Sequence, residues 1–139
     1  MKRVFLWAVV AFFCMTTANA GNRDHSADLQ QVCQLVLDHP DLQGFYHSKL
    51  PGRVPVTVSD HLIGKGLKLS KFGKPVVFVS DPDKRTMRRE AILRFDKVKV
   101  DRDEASVEFS YPIEGVFGQM SLEKQGGKWR VISARVLES

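Results

Sequence analysis

Leu29, Val32, Cys33, Val36 and Leu37 fall at i, i+3, i+4, i+7 and i+8, the apolar stripe of a one-sided helix. From Pro51 onward the apolar spacing changes to two, the period of strands. A single amphipathic helix ahead of alternating strands needs a sheet to bury its stripe. The pattern therefore predicts an α+β domain: an N-terminal amphipathic helix packed on a curved antiparallel sheet of five to seven strands. Ser26 is the expected helix N-cap. His39-Pro40 is the expected stop, because the residue before a proline avoids the helical region. Residues 41 to 47 add a short turn carrying Phe45 and Tyr46.

Val54, Val56 and Val58 alternate, and Pro55 among them predicts an edge strand. Leu67 and Leu69 alternate next, and Val76 to Val79 ends at Ser80-Asp81-Pro82-Asp83, a turn. Residues 84 to 90 are mostly charged and read as a connection. Leu93 and Phe95 alternate in one phase, Val98 and Val100 in the other, which predicts a bulge or bend near Asp96-Lys97. Ala105, Val107, Phe109 and Tyr111 set one apolar face against Ser106, Glu108 and Ser110. Val116 to Glu123 forms a further strand, Gly126-Gly127 a turn, and Trp129 to Leu137 the last strand. No strand and helix alternate as a parallel sheet requires.

The first twenty residues carry a basic start at Lys2 and Arg3, an apolar run from Val4 to Met15, and Ala18-Asn19-Ala20, the pattern of a cleavable signal peptide. The run is shorter than the roughly 20 residues that span a bilayer. Residues 1–20 are thus expected to be a signal peptide and 21–139 a single α+β domain, exported by a bacterial cell to the periplasm or beyond. Removing 1–20 from the 139 residues leaves 119, room for one core that buries about two thirds of the unfolded surface. The charge then falls to 19 Lys and Arg, the 21 less Lys2 and Arg3, against 16 Asp and Glu, a net +3. That is too mild for a nucleic-acid footprint. Cys14 leaves with the peptide, so Cys33 has no partner for an internal disulfide. Its place in the apolar stripe predicts a buried, inert thiol.

Tyr111-Pro112 through Gly115, Gly118 to Leu122, Gly127-Lys128-Trp129 and Val131 resemble the terminal hairpin of small exported proteins of the cystatin-like and nuclear-transport-factor-like group. The resemblance covers about a quarter of the chain and implies a curved sheet wrapped about a helix, an architecture compatible with an internal cavity. The N-terminal part departs from the nuclear-transport-factor pattern, which has more helix before its sheet. The resemblance transfers no site residue.

Candidate chemistry is sparse. His25, His39, His47 and His61 form no HxH or HExxH pattern, so no metal site is implied. Ser59-Asp60-His61 is an adjacent run, whereas a triad needs three groups converging in space, and a GxSxG elbow is missing. Asp81 and Asp83, and Asp101, Asp103 and Glu104, lack the glycine and distal glutamate of a calcium loop and read as turns. Gly64-Lys65-Gly66 is too short for a phosphate loop. The nine ring-bearing residues Phe45, Tyr46, Phe72, Phe78, Phe95, Phe109, Tyr111, Phe117 and Trp129 suffice for a core.

One bias stands out in the middle of the chain. Lys65, Lys68, Lys71 and Lys74 recur every third residue, followed by Lys84, Arg85, Arg88 and Arg89. Brought together they would form a positive patch for anionic envelope lipids, acidic glycans or an acidic protein face; left apart, the lysines keep a strand edge soluble. The expected binding residues are accordingly Lys65, Lys68, Lys71, Lys74, Arg85, Arg88 and Arg89. The reading favours a non-enzymatic binding protein with no cofactor, whose partner is a protein or an envelope component, not nucleic acid. The alternatives are a small enzyme or ligand carrier in which Asp60, His61, Glu108 or Glu114 converge at the mouth of the sheet, and a charge-driven binder of an anionic surface.

Overall fold

A computed structural model describes residues 20–80 and 82–139, with side chains from residue 24 onward. The expected signal peptide, up to residue 19, lies outside the described residues, as do Cys14 and Asp81. The first element is helix α1, Ala20–Asp38. It begins well before Ser26, so Ser26 is a helix residue and not the N-cap. The added turns carry Asp24, His25, Ser26 and Ala27, all exposed, and a solvated turn leaves no apolar spacing to read. The stripe itself does what its spacing predicts: Val32, Cys33, Val36 and Leu37 are fully buried. The helix stops at His39, and Pro40 opens a second short helix, α2, Pro40–Gln43. Phe45 and Tyr46 lie just beyond it, where the Tyr46 hydroxyl donates to the Leu37 carbonyl at 2.9 Å.

Eight strands follow: β1 (Thr57–Ser59), β2 (Ser70–Lys71), β3 (Lys74–Pro75), β4 (Val77–Val79), β5 (Ile92–Val100), β6 (Glu104–Tyr111), β7 (Val116–Gln125) and β8 (Lys128–Glu138), with helix α3 (Lys84–Arg89) between β4 and β5 and a 3₁₀ turn at Pro112–Glu114 between β6 and β7. Six of them make one sheet in the order β4-β1-β5-β6-β7-β8, and β2 and β3 make a separate hairpin. The class is α+β, with α1 contacting a mostly antiparallel sheet.

Two expectations are corrected here. The Val54–Val58 run is not an edge strand: β1 lies inside the sheet, parallel to both β4 and β5. Pro55, joined to Val54 by a cis peptide bond, precedes the strand, so its missing N–H never enters the ladder. Instead the Val56 carbonyl accepts from Val77 N–H at 2.9 Å. The charged stretch at 84–90 is also not a mere connection. The Asp83 carboxylate caps α3 by accepting from Thr86 N–H at 2.7 Å, and Met87 is its one buried anchor. This short helix supplies the crossover that parallel β4 and β5 require.

The bulge near Asp96-Lys97 is present: the β5–β6 register shifts between Phe95 and Lys97. That shift keeps Phe95 opposite Phe109 and Val98 opposite Val107, holding both phases of β5 on the inner face. Residues 67–71 run extended beside α1. Leu67 and Leu69 are buried, while Gln30 accepts from Lys68 N–H at 2.8 Å and Gln34 both accepts from Ser70 N–H and donates to its carbonyl. Two glutamines four residues apart on one helix face thus offer this segment a stand-in for a neighbouring strand. The hairpin turns at Phe72 and Gly73 with φ of 53° and 72°, both positive as a two-residue type I′ turn requires.

Candidate functional site

Register assigns the paired residues of β5 to β8 to a face. The inner face carries Phe95, Val98, Val107, Phe109, Met120 and Leu122 toward α1, all in the core or packed against it. The outer face forms rows across the strands: Arg94, Ser110, Phe117 and Leu137; then Lys97, Glu108, Gln119 and Arg135; then Lys99, Ser106, Ser121 and Ser133. An antiparallel sheet can leave one face to water; α3 reaches this one at the Arg94 end, where the guanidinium donates to Met87 Sδ at 3.8 Å. The face is nonetheless not uniformly polar, since Phe117 is 47% exposed, Ile132 56% and Leu137 37%.

Three clefts run along this face and share residues. The first, about 390 Å³, lies between Phe117, Leu137, Arg135, Glu108 and Asp96. The second continues through Lys97, Ser106 and Ser133, and the third ends at Lys99, Glu104 and Ile132. Arg94 pairs with Asp96 at 3.2 Å and Arg130 with Glu123 at 3.5 Å. Among the described residues Arg135 has no carboxylate at ion-pairing distance, although it lines the first cleft. Apolar side chains standing beside an unpaired guanidinium are the composition of a protein-binding surface.

The basic residues singled out from sequence divide between two places. Lys65 faces Asp60 at 3.5 Å. Lys71 pairs with Asp38 at 2.9 Å, and its ammonium lies over the rings of Tyr46 and Phe72, so it ties the hairpin to α1. Lys68 flanks a cleft between α1 and Trp129, and Lys74 is exposed on β3. Arg85, Arg88 and Arg89 stand exposed on α3, which packs against the 3₁₀ turn.

The polar groups considered for an enzyme do not converge. Ser59 Oγ accepts from the His61 backbone N–H at 3.5 Å, Asp60 faces Lys65, and Glu108 is on the outer face. Glu114 instead closes a cluster: one oxygen takes Arg53 and the other His47 at 3.3 Å, while Arg53 also donates to the Tyr111 hydroxyl at 3.3 Å. Burial works against the charge of Arg53, but its bonds to Tyr111 and Glu114 outweigh this and raise its pKa; burial likewise pushes the Tyr111 phenol up. One carboxylate oxygen is committed to Arg53 and the other stands against the His47 imidazole, so the cluster locks the 47–53 loop to the 3₁₀ turn. Among the described residues no three His, Cys, Asp or Glu are placed to hold a metal, and no helix is long and apolar enough to cross a membrane.

Cys33 is buried, and burial pushes its thiol up to about 12. A protonated, enclosed thiol is a poor nucleophile. In native protein it should react with a thiol reagent only as fast as the domain opens, and at once in denaturant; a fast native reaction would mean that α1 is not seated on the sheet.

The sequence does not mark the outer face as a site, because Phe117 counts toward the core with the other rings. Its parity carried the signal: it is out of phase with Val116, Met120 and Leu122, all buried. Against known proteins, the chain matches no family model, no curated protein and no solved structure.

Proposed function

We propose that this protein is an exported, non-enzymatic binding module that holds a protein partner of the cell envelope on the outer face of β5 to β8. The observation that carries the reading is the trio of exposed apolar side chains, Phe117, Ile132 and Leu137, on the grooved β7–β8 part of the sheet face. Exposed apolar surface rimmed by charge marks interaction sites. Export is supported by the basic start, apolar run and Ala18-Asn19-Ala20 of the first twenty residues. The likeness of the terminal hairpin to cystatin-like and nuclear-transport-factor-like exported proteins belongs to the same proposal. A second reading rests on α3, whose Lys84, Arg85, Arg88 and Arg89 are exposed and have no ionic partner among the described residues; they suit an anionic surface.

The test is capture from envelope extract on immobilised protein, at low and high salt, with wild type and Phe117→Asp. Wild type should retain one protein in constant ratio at both salts. Phe117→Asp should lose it, because removing an aromatic anchor from a binding centre weakens association by about 2 kcal/mol or more. Phe117 is half exposed, so the variant should fold normally. Equal retention by both proteins sinks the sheet-face reading. Retention that vanishes with salt, and with replacement of Arg85, Arg88 and Arg89, transfers the function to α3.

A further inference from the structure

β8 is the long free edge of the sheet. It spans Lys128–Glu138 and among the described residues pairs only with β7, whereas the opposite edge, β4, has three residues. A bulge between Ser121 and Leu122 divides β8 into two regular segments, of which the longer, Ser133 to Glu138, is paired without interruption to Val116 through Ser121. Along that segment every second residue turns its N–H and carbonyl away from β7. No other hydrogen bond between described residues takes them up.

We propose that this segment takes up an extended peptide of the partner as an added strand, with acidic side chains on one face and branched apolar side chains on the other. The inference rests on the sheet-face reading and names the partner's chemistry. The acidic face follows from charge. β8 carries Lys128, Arg130 and Arg135 against one acid, Glu138; Glu123 takes Arg130, and among the described residues Arg135 is left without a counter-ion. The nearby acids do not fill that role, since Asp96 is held by Arg94 and Glu108 stands opposite Lys97 in register. The apolar face follows from burial. Ala134 and Val136 face inward but are only half buried, because the sheet ends beside them. A strand added there would complete their cover, and its outer residues would lie next to Arg135 and Leu137 of β8. A second copy of this chain suits the edge poorly, because antiparallel pairing centred on Arg135 sets two guanidiniums directly opposite each other.

The probe is a displayed library of extended peptides in which valine or isoleucine alternates with glutamate or aspartate, panned on the purified protein beside a library with lysine and arginine at the charged positions. The acidic library should be retained, and a synthetic peptide made from a recovered member should protect the amides of residues 133–138 from hydrogen exchange. Its affinity should fall about tenfold or more on Arg135→Glu, and by a similar factor when alternate peptide amides are N-methylated, which removes ladder donors and keeps the charges. Equal retention of the basic library, binding without protection of β8, or indifference to N-methylation each overturns strand addition. Retention of neither library means that the cations only guard the edge, and the proposal falls. The two readings fail separately. Binding that needs Phe117 but tolerates N-methylation sinks strand addition alone, and β8 protection with no dependence on Phe117 sinks the sheet-face reading alone.

Discussion

Replacing Gly118 with valine should lower the unfolding free energy by about 3 kcal/mol or more. Gly118 is in β7, opposite Phe109 on one side and Val136 on the other, and its missing side chain would point into the core. A Cβ there would stand 2.5 Å from Phe109 Cζ, 2.9 Å from Cε1 and 2.8 Å from the Arg135 carbonyl oxygen. The ring of Phe109 therefore occupies the space a side chain at 118 would need. It cannot swing aside, because Phe109 is 1% exposed and packed within the core. The carbonyl belongs to the β7–β8 ladder and can move only with its strand. Phe109→Leu in the same chain should recover part of the loss, since it shortens the ring contact and leaves the carbonyl contact untouched. The double variant should thus be more stable than the sum of the single effects predicts, yet remain below wild type. Urea titration of the four proteins measures this. A Gly118→Val protein within about 0.5 kcal/mol of wild type, the range of an ordinary surface change, would mean that β7 and β8 do not pair in the stated register.

What could be read from the residues, and what could not, follows from the reach of each signal. The α1 stripe was legible because one helix face records its own burial at a fixed spacing. The two phases of β5 were legible for a related reason: Leu93 and Phe95 cannot share a face with Val98 and Val100 unless a residue is inserted. Pairing partners leave a weaker trace. The three-residue β1 does not say whether its neighbours run with it or against it, and Pro55 argued for an edge only while it was counted inside the strand. Helix α3 has one buried side chain, Met87, too few to set a period. The exposed outer face was hidden by a symmetry of alternation, which separates the two faces of a strand without saying which one a helix will cover. Phe117 and Phe109 are equally aromatic, and only their parity within paired strands puts one outside and the other in. The basic run shows the same limit. Lys71 belongs to a motif by spacing, yet tertiary contact sets its ammonium against Asp38 and over two rings.

Asp28→Ala should lower stability by about 2 kcal/mol near neutral pH, which corresponds to a fall of roughly 8 °C in Tm for a domain of this size. Asp28 lies on α1 one turn before the buried stripe, where Lys124 Nζ and Trp129 Nε1 both donate to its Oδ1 at 2.9 Å. Lys124 and Trp129 are opposite each other on the inner face of β7 and β8, and the ammonium lies 5.9 Å from the indole centroid. One carboxylate thus joins the helix to both strands of the terminal hairpin. Removing it leaves the indole N–H of Trp129, a residue only 6% exposed, without its acceptor, and a partly buried ammonium without its counter-ion. The same contacts govern the acid limb of stability. Burial acts to raise the Asp28 pKa, but the bonds from Trp129 and Lys124, with the charges of Lys124 and His25, outweigh it and bring it below the ordinary 3.8. A carboxyl whose folded value is depressed gives its full stabilisation above the unfolded value and loses it as pH falls through the folded one. The stability gap between wild type and Asp28→Asn should therefore be constant from neutral pH down to about pH 5 and shrink only below the unfolded value near 3.8. Denaturant titrations of both proteins across that range decide the matter. A gap that closes well above pH 5 would assign the acid response to another group, and no gap at any pH would mean that Asp28 does not bind the hairpin to the helix.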